Sequence, residues 1–163
     1  GEELGLPDGV LPDDVLQGPP WERSVPTMRG RAGCRAPMTW ERDAPCFGFG
    51  PGATAWLPQP DTYGALAVDQ QQGELGSTLE LYRALIRLRR EHRLGVGTLS
   101  WTDGYGGDVV AFTVTSASIS VSVIANLGRE PVQLPEDSTV IVASQPSAMD
   151  GVVGPDCAVW MRR

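Results

Sequence analysis

The sequence predicts a mainly β protein, in which a small antiparallel β-sandwich is preceded by one amphipathic helix and a long irregular loop. Three observations predict this fold class. Proline and glycine concentrate in residues 1–76, a helix signal begins at residue 77, and short alternating segments separated by turns follow from residue 98. We therefore divide the chain into residues 1–76, 77–97 and 98–163.

Residues 1–76 are predicted to lack a long helix or strand. They hold 10 of the 14 prolines and 12 of the 20 glycines, which interrupt regular structure. Disordered segments are poor in aromatic residues, whereas this one carries five tryptophans and phenylalanines: Trp21, Trp40, Phe47, Phe49 and Trp56. We therefore expect a loop that folds onto a larger body.

Residues 77–92 form the predicted helix. Ser77 and Glu80 have the spacing of a capping box, in which each side chain bonds the other residue's backbone N–H. Apolar residues then recur every three or four positions and make one face: Leu81, Tyr82, Leu85, Ile86 and Leu88. Arginines crowd the second half, where cations complement the helix dipole, and Gly95 is expected to stop the helix.

Residues 98–163 have the shorter period of strands. Six segments are predicted: 98–102, 108–115, 118–125, 131–134, 138–144 and 157–161. In the third, Ile119, Val121 and Val123 alternate with serines, which predicts one face toward the core and the serine face in water. Strands that repeat at this interval favour a small antiparallel sandwich.

Composition excludes several classes of protein. The net charge is −7, and the acidic balance opposes non-specific binding to nucleic acid. No apolar run approaches the roughly 20 residues of a membrane span. Cys34, Cys46 and Cys157 are widely spaced and His92 is the only histidine, so neither a zinc site nor a disulfide framework is predicted. We expect no cofactor, and the absence of a leader-like start favours the cytoplasm.

Carboxylates are the chemistry-bearing groups of the first region. Seven acidic residues lie near its start or among its tryptophans: Glu2, Glu3, Asp8, Asp13, Asp14, Glu22 and Glu41. Paired carboxylates cleave glycosidic bonds, and aromatic rings stack on sugars. Taken singly, however, each acid is expected to be solvated. His92 is expected at the surface, and residues 48–52 are expected to form a turn because no phosphate-loop lysine follows.

Three motifs resemble the glycoside hydrolase family 13 α-glucosidases of the α-amylase superfamily, which include oligo-1,6-glucosidases and trehalose synthases. Residues 1–7 resemble the Y-x-G-E-E-x-G signature that ends the eighth barrel strand. Residues 30–40 are similar to the G-R-D-x-x-R-T-P-M-Q-W loop, and residues 81–89 match the Y-x-x-L-I-x-L-R core of the eighth barrel helix. In the family, a small antiparallel domain called domain C follows this helix.

The resemblance implies that residues 1–76 are the end of barrel strand 8 and a substrate-side loop left over from a (β/α)₈ barrel, that residues 77–97 are the last barrel helix, and that residues 98–163 are domain C. It places the catalytic aspartate, the glutamate acid/base and the transition-state stabiliser upstream of Gly1, so no catalytic residue is assigned here. Arg31 matches the motif's arginine and is the predicted substrate-binding residue. Ala32 and Thr39 replace the motif's aspartate and glutamine.

We therefore expect a C-terminal fragment of a retaining α-glucosidase acting on terminal α-linked glucose, inactive without the missing barrel portion. Its substrate would be an oligosaccharide bound through the parent enzyme. The alternative is a free-standing carbohydrate-binding or interaction module. Against it, the predicted strands carry only three aromatics, Trp101, Phe112 and Trp160.

Overall fold

The computed structural model describes residues 1–15 and 32–162, apart from the side chain of Met149. The chain divides into two compact units, Gly1–Leu79 and Glu80–Arg163. The predicted fold class is confirmed: an irregular segment is followed by an amphipathic helix, most of which lies in the second unit, and then by a mainly antiparallel sheet.

The described part of the first unit consists of short turns joined by irregular chain. Its 3-10 turns are Glu2–Leu4, Asp13–Val15, Gly33–Arg35, Pro45–Gly48 and Asp61–Leu66. One short α-helix, α1, spans Val68–Gln71. Leu11, Ala32 and Leu57 form a buried apolar cluster, and Leu4 and Tyr63 are buried. The frequent prolines and glycines explain why no longer element forms among these residues.

Helix α2 spans Thr78–Glu91, one residue shorter at each end than predicted. The Leu79 N–H at its start donates to the side-chain oxygen of Gln71, a cap that sequence analysis missed. The helix ends before Arg93, which adopts the left-handed conformation with φ 52°, so Gly95 is not the residue that turns the chain. Of its described side chains only Leu79 is buried, and Ile86 is exposed.

The second unit contains seven strands among its described residues. They are β1 (Thr98–Trp101), β2 (Val109–Thr115), β3 (Ser120–Asn126), β4 (Val132–Gln133), β5 (Thr139–Ala143), β6 (Val152–Val153) and β7 (Cys157–Arg162). Five form an antiparallel sheet in the order β1-β2-β3-β7-β5, and β4 pairs with β6 in a second, two-stranded sheet. All six predicted strands are present, whereas β6 was missed.

The main core cluster lies on one face of the larger sheet, and Val121 of β3 is buried on the opposite face. Ala111, Ile124 and Val159 are neighbours across β2, β3 and β7, and Val153 of the smaller sheet joins them. Ile124 shares its face with Ser120 and Ser122. The expectation that the serine-bearing face lies in water therefore holds at the exposed Ser120 and is wrong at Ile124, where the same face enters the core.

Asn126 ties the two sheets together. Its buried side-chain N–H₂ donates to the carbonyls of Glu130, Val153 and Gly154, and its side-chain oxygen accepts from the Gly128 N–H. A buried polar side chain is tolerated when its donors and acceptors are paired. This one residue fixes the turn after β3 and the end of β6.

Candidate functional site

A cleft of about 420 Å³ in the first unit joins two of the motifs. The opening segment, the loop after residue 32 and Tyr63 line it. The residues that line it are Gly1, Glu2, Leu6, Pro7, Asp8, Gly33, Cys34, Ala36, Met38 and Tyr63. Two segments recognised separately in the sequence therefore meet at one place.

Buried contacts position the opening segment. The 3-10 turn Glu2–Leu4 ends at Gly5, whose φ of 69° suits glycine. Leu4 is fully buried, and its carbonyl accepts a 2.9 Å hydrogen bond from the side-chain N–H₂ of Gln71. The hydroxyl of Tyr63 donates to the Pro7 carbonyl. These two bonds hold the segment at both ends.

The opening segment and the loop after residue 32 touch through glycine backbones. The Gly9 N–H donates to the Gly33 carbonyl at 3.1 Å. A Cβ on Gly33 would lie 2.5 Å from the Gly9 carbonyl oxygen, which real side chains do not tolerate. Gly33 is therefore required for the close approach that shapes the cleft, rather than for an unusual backbone angle.

The polar groups of the cleft are carboxylates, a thiol and a phenol. Burial raises the pKa of Tyr63 above its ordinary value of 10.0, and the negative charges of Asp8 and Cys34 add to the effect. Tyr63 therefore keeps its proton near physiological pH, and this proton makes the hydrogen bond to the Pro7 carbonyl. Asp8, Glu2 and Cys34 are exposed to solvent. Such a set suits hydrogen bonding to a neutral, hydroxyl-rich ligand better than to an anion.

The predicted acids separate into different places. Glu2 and Asp8 line the cleft, whereas Glu3 does not. A hydrogen bond from its own backbone N–H lowers the pKa of Glu3, and the Gly1 ammonium 3.1 Å away adds to the effect. Asp13, Asp14 and Glu41 are exposed away from the cleft lining, and Glu22 lies outside the described residues.

Arg31, the predicted substrate-binding residue, also lies outside the described residues. Its neighbour Ala32 is 6% exposed and packs with Leu11 and Leu57. Thr39 is fully buried, and its hydroxyl has no hydrogen-bond partner within the described residues. The two positions that depart from the family motif therefore both turn inward in this chain.

The remaining candidates have local roles. His92 is half-buried, and its backbone N–H donates to the Leu88 carbonyl at the end of α2. Residues 48–52 turn as predicted, and Gly48 has φ 73°. Just before them, Cys46 and Phe47 also have φ 48°. This left-handed pair was not predicted, because neither residue type favours that conformation.

Tyr63 and Cys34 are the cleft residues that sequence reasoning missed. Cys34 lies inside the matched loop, but its spacing from the other cysteines carries no signal of a position in a cleft. Tyr63 carries no motif of its own, and only its isolation among prolines and glycines distinguishes it. Within residues 1–15 and 32–162, no cluster of three or more His, Cys, Asp or Glu residues is placed to bind a metal ion. No helix in that part of the chain is both long and apolar enough to cross a membrane.

Comparison with known proteins identifies the family and the relatives of this chain. Residues 1–96 match the Alpha-amylase family, described as alpha amylase, catalytic domain. A probable alpha-glucosidase of Rhizobium meliloti (strain 1021) is 33% identical over 131 residues, which cover 80% of this chain and 23% of that protein. The chain thus spans about a quarter of the length of that relative.

Solved structures of other proteins share the fold of this chain. The crystal structure of an alpha-glucosyl transfer enzyme, XgtA, superposes with a TM-score of 0.77 and 32% identity over all of this chain and 32% of that one. The trehalulose synthase MutB from Pseudomonas mesoacidophila MX-45 has a TM-score of 0.78 at 21% identity, over 99% of this chain and 34% of that one. The second likeness concerns the fold alone. Because the family match covers more than half of the residues, the chain belongs to the α-amylase family, glycoside hydrolase family 13, and is α-glucosidase-like.

Proposed function

We propose that this chain is the C-terminal part of a retaining α-glucosidase that releases terminal α-linked glucose from oligosaccharides. The main support for the proposal is that the segment of residues 1–8 and the loop of residues 33–38 line one polar cleft. The relative named alpha-glucosidase and the structure named as an alpha-glucosyl transfer enzyme support the same sugar chemistry. Residues 1–76, 77–97 and 98–163 would be the barrel end, the last barrel helix and domain C.

We expect this chain to be inactive by itself. Retaining glycosidases need two carboxyl groups about 5–5.5 Å apart on either side of the scissile bond. The resemblance assigns that pair to the sequence upstream of Gly1. The length of the relatives supports this assignment, since the chain matches only 23% of the Rhizobium protein and 32% of the transfer enzyme.

Uncovered apolar surface supports a missing barrel portion as the partner of this chain. The apolar face of α2 keeps Ile86 exposed and Leu81, Leu85 and Leu88 only partly buried. An amphipathic helix ordinarily buries this face against another element. In the first unit Trp56 is 78% exposed, and Phe49 is also exposed. A barrel wall would cover such side chains, each contributing about 1.5–3 kcal/mol on full burial.

Arg31 is proposed to bind the terminal glucose. Its guanidinium presents several donors in a fixed fork, which suits sugar hydroxyls. In the enzyme that carries the upstream carboxylates, Arg31→Ala is expected to lower kcat/KM by roughly 10- to 100-fold, as loss of a charged hydrogen bond does. Arg42→Ala is a matched control, because Arg42 follows the motif, is exposed and does not line the cleft. Equal losses in the two variants would contradict the assignment.

Turnover of p-nitrophenyl α-glucoside by the purified 163-residue chain tests the proposal. We expect no release of p-nitrophenol above the rate with heat-denatured protein. A rate that is lost in Glu2→Gln or Asp8→Asn, but kept in Asp13→Asn, would place the catalytic carboxylates in this chain and overturn the proposal. We also propose a cytoplasmic location, which the low cysteine content of the sequence favours.

A free-standing carbohydrate-binding or interaction module is the second candidate function. One observation favours it: the indole of Trp101 is exposed on the second unit. This candidate differs from the first in requiring no upstream portion. It predicts that binding of an oligosaccharide is the whole activity, so that adding the upstream portion confers no turnover of p-nitrophenyl α-glucoside.

A further inference from the structure

A groove of about 380 Å³ in the second unit lies where β1 passes into β2. Trp101, the last residue of β1, forms one side. Thr102, Asp103 and Tyr105 come from the connecting loop, and Val110 comes from β2. None of these residues belongs to the cleft of the first unit.

Trp101 is a fixed and open aromatic surface. Its side chain is 70% exposed, although tryptophan is among the most apolar and largest residues. It pairs with Phe112 across β1 and β2, and the two rings meet edge to face with centroids 5.8 Å apart at 77°. This contact holds the indole in place, so a ligand that stacks on it would not have to order the ring first.

The connecting loop supplies polar groups beside the indole. Asp103 is an exposed carboxylate, and Thr102 is an exposed hydroxyl whose backbone N–H is anchored to the Ala111 carbonyl at 3.0 Å. Tyr105 packs partly against the core, which fixes its phenol. The loop is otherwise glycine-rich, and a Cβ at Gly104, Gly106 or Gly107 would meet nothing within 4 Å. The loop therefore leaves open space beside these groups.

An open indole beside a carboxylate and two hydroxyls matches the two chemical sides of a sugar. The C–H groups on one face of a pyranose ring can lie on the electron-rich face of an indole. The hydroxyls at the ring edge can donate to a carboxylate and exchange hydrogen bonds with Thr102 and Tyr105. A nucleotide or phosphorylated ligand fits less well, because the groove lining contains a carboxylate and no arginine.

We propose that this groove binds a short α-linked gluco-oligosaccharide, with Trp101 as the stacking platform and Asp103 as the main hydrogen-bond acceptor. Recognition of a pyranose ring follows from the groove itself, whereas the choice of α-linked glucose rests on the proposed function. The small number of aromatic residues in the predicted strands argued against such a platform. The structure differs because one well-placed exposed ring, supported by a neighbour, is enough to form it.

Titration of the ¹⁵N-labelled chain with maltotriose tests the proposal. The five indole N–H signals report each tryptophan separately, and Trp101→Phe identifies the signal of interest. We expect a saturable shift of the Trp101 signal, with a dissociation constant on the order of 1 mM because a single ring and few hydrogen bonds carry the binding. Cellotriose, with β-linked glucose, is expected to bind at least several-fold more weakly.

Variants distinguish maltotriose binding at the groove from binding at other surfaces. Trp101→Ala is expected to weaken maltotriose binding at least about tenfold, and Asp103→Asn several-fold. Trp56→Ala removes an exposed indole from the other unit and is expected to leave binding at the groove unchanged. Unchanged amide signals of β2 and β3 would show that each variant keeps the fold.

Either of two results overturns the proposal: no saturable shift of the Trp101 signal, or equal affinity in Trp101→Ala and Trp56→Ala. Equal binding of cellotriose and maltotriose would overturn the assignment to α-linked glucose. None of these results depends on turnover of p-nitrophenyl α-glucoside. Failure of the groove and failure of the glucosidase proposal are therefore distinguishable.

Discussion

Replacement of Gln71 is expected to loosen the end of the first unit that supports the cleft. Its buried side chain makes three hydrogen bonds to backbone groups. The N–H₂ group donates to the carbonyls of Leu4 and Leu66 at 2.9 and 2.7 Å, and the oxygen accepts from the Leu79 N–H at 3.1 Å. Gln71→Met keeps the length of the side chain but removes every one of these bonds.

The expected cost can be estimated bond by bond. A hydrogen bond within a protein contributes about 1 kcal/mol net, so three give about 3 kcal/mol. This estimate is a lower one, since the three buried backbone groups would be left without partners. A loss of about 3 kcal/mol raises the rate of local amide exchange roughly a hundredfold.

Hydrogen exchange measured residue by residue is the appropriate assay. The Leu79 amide should exchange roughly a hundredfold faster in Gln71→Met, while amides of β2 and β3 in the second unit serve as an internal reference. Gln72→Met is the matched control, because Gln72 is adjacent and exposed. Its effect on stability should stay within about 0.5 kcal/mol. Equal exchange of Leu79 in the two variants would refute the reasoning.

Three further perturbations test other contacts. Asn126→Ala should lower the free energy of unfolding of the second unit by about 3 kcal/mol, since two N–H donors and one oxygen acceptor are removed; calorimetry would show a lower Tm, and an unchanged Tm would contradict the role assigned to this side chain. Gly33→Ala should destabilise the first unit by about 1–3 kcal/mol, because the added Cβ meets a facing backbone oxygen, whereas Gly50→Ala, with open space around it, should not. Equal midpoints of urea unfolding in the two variants would argue against the contact. Tyr63→Phe should lose about 1 kcal/mol at neutral pH. Because the folded-state pKa of Tyr63 is raised, the unfolded chain releases its proton first, so the wild type should lose stability as pH rises above 10.0 and the variant should lose less; parallel pH profiles would contradict the burial of this phenol.

Local signals in the sequence were sufficient for the helix and most strands. Helix α2 carries its signal over four turns, and the strands of the larger sheet have at least four residues each, so periodicity had room to appear. Strand β6 lies between Gly151 and Gly154 and shows no alternation, whereas the equally short β4 lies in the alternating stretch Val132-Gln133-Leu134. The alternation in β3 predicted the buried face of Val121 but not the burial of Ile124 on the opposite face, because apolar residues on both faces of a sheet weaken the alternation.

The candidate site was also only partly predictable from the sequence. Two of its segments were recognised from motifs, since short stretches with unusual residue spacing remain visible in a single sequence. Tyr63, Asp8 and Cys34 come together only because the chain folds back on itself over more than fifty residues, as the hydrogen bond from Tyr63 to Pro7 shows. The exposure of Trp101 was equally hidden, because solvent access depends on which neighbouring elements cover a strand.

The sequence by itself determined the family, the order of the segments and the mainly β character of the second unit, because motifs and periodicity are written in neighbouring residues. Only the tertiary structure decided that Gln71 and Asn126 serve as buried connectors, that Ala32 and Thr39 turn inward, and that one indole stays open beside a polar loop. Those outcomes depend on contacts between residues far apart in the chain. Their free energy comes from burial and from pairing of polar groups, which no local pattern records.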